Sequence, residues 1–246
     1  MAYTTINDPS EYFNTILYTG NGNSSRPVVG TGFKPDWLWV KNRSSSGGTG
    51  PNVVFDTTRG NTKDLHTNND ETEHTNSNVL LSFDTNGFSV GESGVVNNNT
   101  DNFVAWQWKA NGGSRTTFTE SGNNPGGGRQ VNTTAGFSII DYTGTGSAGT
   151  IEHGLGAVPH WILFKARSEA SNDWAVYHQG NTSAPETDFL RLNTTAATTD
   201  NSNFMNDTAP TSSVFTVNTG SKVNSDGETY IAYCFTEKQG YSKFGS

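Results

Sequence analysis

The sequence predicts an all-β protein: two tandem homologous β-sandwich domains of jelly-roll or lectin-like kind. Three observations carry this expectation: an aromatic-rich but charge-poor composition, an internal repeat, and period-two alternation inside the repeated blocks. Of 246 residues, 31% are apolar and 15% charged, with 14 Phe, 8 Tyr and 6 Trp. Chains that cannot build a core are aromatic-poor and charge-rich, so disorder is excluded. A mean hydropathy of −0.61 leaves no room for a membrane helix, and the abundance of Gly, Asn, Ser and Thr argues against a helical bundle.

The first block runs from Phe13 through Tyr18-Thr19-Gly20 and Gly22, and it returns as Phe137, Tyr142-Thr143-Gly144 and Gly146. Gly32, Pro35, Trp37, Lys41, Arg43 and Ser44 then return as Gly156, Pro159, Trp161, Lys165, Arg167 and Ser168, still in register. After loops of unequal length, Phe88, Val90, Val96, Asn97, Phe103, Val104, Ala105, Trp106 and Trp108 answer to Phe215, Val217, Val223, Asn224, Tyr230, Ile231, Ala232, Tyr233 and Phe235. The expected organisation is an N-terminal arm (1–11), a first sandwich (12–111), a Gly/Ser/Asn-rich linker (112–134), a second sandwich (135–238), and a tail (239–246) at which a further repeat could begin.

Local signals agree with strands. Pro35 and Pro159 mark strand entrances, because proline lacks a ladder donor. Asp84-Thr85-Asn86-Gly87 separates two apolar runs, and its Asn-Gly pair is expected to supply positive φ for a hairpin. Gly20, Gly22, Gly144 and Gly146 read as turn glycines, since no Lys-Ser/Thr pair or helix follows to make a phosphate loop. Trp37, Trp39, Trp106 and Trp108 correspond to Trp161, Leu163, Tyr233 and Phe235, so bulk persists while the indole does not, and the four are expected in the core.

A net charge of −8 and a pI near 5.0 provide no basic surface, which disfavours nucleic acid and anionic membranes as partners. The single Cys234 permits no internal disulfide and reads as a buried thiol. The first twenty residues carry Asp8 and Glu11 without a long apolar run, so no secretory signal is expected.

Among polar residues, Lys41 and Arg43, with their counterparts Lys165 and Arg167, share one face at a strand end and are candidates for subunit contact. Trp174, aligned with Asn52 and close to Tyr177 and His178, is a candidate binding patch. The run from Leu65 to His74 sets two imidazoles around three carboxylates. Its spacing matches no established metal motif, so a solvated loop is expected, with no metal or other cofactor; a weak metal site is the alternative. Asn97 to Asp101 lacks calcium-loop spacing and reads as a turn. Glu152-His153 are adjacent on a strand and face opposite sides, while Asp226 and Glu228 suit loop capping, so no catalytic pair is expected.

Met1-Ala2-Tyr3-Thr4-Thr5-Ile6, Tyr18-Thr19-Gly20-Asn21-Gly22, the run from Val104 to Ala110 and the run from Glu237 to Ser246 resemble tandem-repeat virion structural proteins, tail-fibre-like, of marine tailed bacteriophages. The resemblance spans essentially the whole chain. It implies a non-enzymatic tail-fibre or spike component, made in the host cytoplasm and carried on the virion surface. The implied partners are other virion proteins, copies of itself in a trimer, and a host cell-surface glycan. A capsid-surface decoration protein is the alternative, followed by a glycan-binding or glycan-degrading module.

Overall fold

A computed structural model describes residues 4–44, 50 and 52–245. The quoted termini Met1-Ala2-Tyr3 and Ser246 lie outside the described residues. The chain forms two compact units: one takes 8–68 and 73–113, the other 4–7, 69–72 and 114–245. The expected boundaries are contiguous, whereas residues 69–72 of the first stretch group with the second unit.

In the first unit a 3-10 turn, Pro9–Glu11, is capped by the Asp8 carboxylate, which accepts from the Ser10 amide. The strands are β1 (Phe13–Thr19), β2 (Arg26–Val29), β3 (Trp37–Asn42), β4 (Asn52–Asp56), β5 (Lys63–His66), β6 (His74–Thr75), β7 (Leu80–Asp84), β8 (Gly87–Val90) and β9 (Asn102–Trp108), with a one-turn helix α1 (Gly94–Asn97) before the last. An antiparallel sheet ordered β1-β9-β3-β4-β5-β6 faces a smaller one ordered β2-β8-β7. Between them lie Leu38, Val40, Val53, Phe55, Leu80, Phe88, Val90, Val96, Phe103 and Ala105, which makes the unit a sandwich.

The second unit contains β10 (Thr116–Phe118), β11 (Gly127–Asn132), β12 (Phe137–Thr143), β13 (Gly149–Glu152), β14 (Trp161–Ala166), β15 (Ala175–His178), β16 (Asp188–Arg191), β17 (Thr199–Asp200), β18 (Val214–Val217) and β19 (Thr229–Phe235). Its large sheet runs β10-β11-β12-β19-β14-β15-β16-β17, and β13 pairs with β18. Ile140, Tyr142, Ile151, Phe164, Tyr177, Phe215, Tyr230 and Cys234 belong to its core. From β12 onward this order matches that of the first unit's large sheet, strand for strand.

Two expectations need correcting. Residues 112–134 are not a linker, because β10 and β11 extend the second sheet, with Gly127 to Asn132 paired against β12 from Tyr142 to Phe137. Backbone pairing needs no apolar side chains, so composition concealed these strands. In the tail, Lys238 bridges Ser242, and the Phe244 ring lies 6.0 Å from Trp161.

The tryptophan quartet, second, is not part of the sandwich core. Leu38 and Val40 point into it, so Trp37 and Trp39 point to the opposite face, as do Trp106 and Trp108 across the ladder. On that face Phe13, Trp108 and Trp37 form a row with centroid spacings of 4.8 and 4.4 Å, and Trp39 meets Trp106 at 6.0 Å. Trp37 is buried and the other three tryptophans are half-buried. Both faces of this sheet are apolar, so alternation alone did not say which one faces the core.

Candidate functional site

The conserved geometry of the two units begins at the Tyr-Thr-Gly turns, at the ends of β1 and β12. Tyr18 Oη donates to the Val96 carbonyl at 2.7 Å, and Tyr142 Oη donates to that of Val223 at 2.7 Å. Each ring stacks on the neighbouring strand, Tyr18 on Phe103 and Tyr142 on Tyr230, both at 5.1 Å. Burial raises both phenols above the ordinary tyrosine range, so both remain neutral donors. Beside them sit two buried amides. Asn97 Oδ1 accepts from the Asn21 amide and its Nδ2 donates to the Gly91 and Asn23 carbonyls; Asn224 Oδ1 accepts from the Thr145 amide and its Nδ2 donates to the Ser147 carbonyl. A Cβ on Gly20 would lie 2.1 Å from the Asn98 carbonyl oxygen, and one on Gly144 2.2 Å from that of Ser225. Glycine is needed there for close approach, and the motif is a fastening of loop to strand.

The proposed binding patch does not assemble. Trp174 is fully buried and stacks on Tyr233 at 6.4 Å. Tyr177 turns to the opposite face, into the core, while His178 is half-buried. The same alternation that separates Trp174 from Tyr177 rules out a shared surface.

The cationic quartet divides. Arg43 is exposed and Arg167 half-buried, while Lys41 donates to Asn52 Oδ1 at 2.8 Å. Lys165 is fully buried, donates to the Asn172 carbonyl at 2.5 Å, and is therefore withdrawn from any contact surface. Burial lowers its pKa to about 8, opposed by Asp70 and Asp173.

Glu152 and His153 do face apart. Glu152 accepts from Arg129 at 2.6 Å, whereas His153 is buried between the Leu155 amide, which donates to Nδ1, and the Thr211 carbonyl, 3.1 Å from Nε2. That pair of partners requires the neutral ring with its proton on Nε2. Burial lowers its pKa, with Arg129 adding to the effect and the Thr211 contact opposing it.

The cluster with the most distinctive chemistry lies where β5 meets β6. Asp64 and His66 are two apart on one strand and so share a face, and the antiparallel register sets His74 directly opposite Asp64. Val53 pairs with His66, which puts all three side chains on the core-facing side of the sheet near its edge. Asp64 Oδ2 lies 3.2 Å from His66 Nε2 and 3.5 Å from His74 Nδ1, and the imidazole centroids are 4.7 Å apart. One ligand atom from each residue falls within 4.8 Å of the others. Asp64 is 4% exposed, and its Oδ1 has no hydrogen-bond partner among the described residues. Leaving such an atom unsatisfied costs about 1–3 kcal/mol. A plain solvated loop from Leu65 to His74 leaves this arrangement out, because Asp64, the carboxylate that completes the set, lies one residue before it. The readable signal was Asp-x-His on a strand.

Among described residues no helix is long and apolar enough to cross a membrane. A family model, DUF7483, described as a domain of unknown function, matches residues 8–246. No curated protein and no solved structure matches the chain.

Proposed function

We propose that this chain, which belongs to the DUF7483 family, is a non-enzymatic virion structural protein: a tail-fibre or spike component built from two head-to-tail copies of one sandwich. The observation that carries this reading is the fastening used twice, in which a tyrosine, an asparagine and a close-approach glycine tie the same loop to the same strand in each unit. Polar groups that a catalyst would hold ready are spent here on rigidity, which suits a spacer that bears load and presents loops. The resemblance of the terminal and Tyr-Thr-Gly motifs to phage virion proteins supplies the setting.

In this reading three copies assemble, with Arg43 and Arg167 at the strand ends contacting neighbouring virion proteins, and exposed loops meeting a host glycan. Several copies on one particle gain avidity without any new contact. The test is gold-labelled antibody against the chain on purified phage particles. Label on the tail is expected, label on the head would make it a capsid decoration protein, and release of reducing ends from host polysaccharide by the pure protein would make it a glycan-degrading enzyme.

A further inference from the structure

We infer that Asp64, His66 and His74 form a binding site for a divalent transition cation of the zinc class, joining β5 to β6. The inference is independent of the virion reading. Ligands bound to a tetrahedral zinc at about 2.1 Å stand about 3.4 Å apart. Asp64 Oδ2 already lies 3.2 and 3.5 Å from the two imidazole nitrogens, so a cation fits among them with small side-chain movements. These nitrogens come from separate strands, held by the pairing of Asp64 with His74 and of Lys63 with Thr75. The site is therefore prepared by the sheet and does not depend on ordering a loop.

The second observation is independent of ligand spacing. Asp64 is nine-tenths buried or more, yet its Oδ1 accepts no hydrogen bond from the described residues, which is rare for a native buried carboxylate. A cation removes the anomaly: one carboxylate oxygen coordinates, and the other completes a bidentate grip or accepts from a bound water. Two imidazoles select zinc, cobalt, nickel or copper over calcium and magnesium, which prefer oxygen donors. Three protein ligands leave a further position for water or an incoming group. Because coordination needs neutral imidazole, occupancy falls in acid.

The experiment uses the tag-free full chain, stripped with chelator and titrated with zinc chloride by calorimetry, with cobalt(II) absorption as a second readout. We expect saturable binding of about one metal per chain, a zinc-dependent rise in melting temperature, and cobalt bands indicating nitrogen coordination. His74→Gln and Asp64→Asn should each weaken zinc binding at least about tenfold and abolish the melting shift, while His178→Gln leaves both unchanged. His74 is 40% exposed at its side chain, so His74→Gln is expected to fold even if Asp64→Asn does not. Absence of saturable zinc binding in the micromolar range would overturn the proposal. Wild-type affinity retained in folded His74→Gln and His66→Gln proteins would do the same.

Discussion

At the residue scale, the burial of single polar groups has the largest measurable consequences. Tyr18→Phe and Tyr142→Phe each strip a buried carbonyl of its donor, and each should cost about 1–3 kcal/mol in urea unfolding while leaving the far-ultraviolet spectrum unchanged. Lys165 predicts a pH effect. Its native pKa of about 8 lies below the unfolded value of 10.5, so between those values the unfolded chain holds a proton that the native chain has released. Stability then rises with pH in that window, by at most about 1.4 kcal/mol per pH unit, and the gain is absent below it. Denaturant midpoints at several pH values should show this rise in the wild type and lose it in Lys165→Met. The β7-β8 hairpin bears out part of its expected turn chemistry. Asn86-Gly87 does close β7 onto β8, yet Asn86 is not a positive-φ residue; Gly87 takes φ 142°, and a Cβ there would meet the Val28 carbonyl oxygen at 2.0 Å. Asn86 instead accepts the Gly32 amide at 2.7 Å.

At the element scale, β4, β5 and β6 are held together by Arg59, whose side chain is 1% exposed. It reaches Asp56 at 2.6 Å and Glu73 at 3.2 Å, and donates to the carbonyls of Lys63 and Val54. Removing it takes the guanidinium away from two carboxylates in a poorly solvated place, with Lys63 still 4.0 Å from Glu73, so Arg59→Met should cost about 3–5 kcal/mol by thermal or chemical unfolding. The class of fold and most strand positions were legible in the sequence, because aligned blocks such as Trp37 to Lys41 and Trp161 to Lys165 kept both length and alternation. Two things were not. The β10-β11 hairpin carries its information in backbone pairing, and three consecutive glycines at 126–128 look like linker. The metal-ligand set depends on register between β5 and β6, a contact between strands that no spacing along one strand reveals.

At the scale of the whole molecule, two separate apolar cores stand without a disulfide, since the one cysteine, Cys234, is buried and its thiol is pushed well above the ordinary range by burial. Reductant should therefore leave the melting temperature unchanged, and Ellman's reagent should modify the thiol only as fast as the second unit opens; a rapid native reaction would show that its core is not closed. The large sheets end in short strands at β6 and β17, each of two residues, and at β10, of three. The remaining end is β1, seven residues long, whose single ladder partner among the described strands is β9. There Asn14 Oδ1 accepts the Thr15 amide at 2.8 Å and Asn14 Nδ2 donates to the Thr31 carbonyl at 3.0 Å, so one side chain occupies hydrogen-bonding capacity that a foreign strand would otherwise seize. Such a sheet edge is where concentrated chains zip together into fibrils, and Asn14 is its guard. Asn14→Val should accordingly raise light scattering in crowded solutions well before it lowers the melting point.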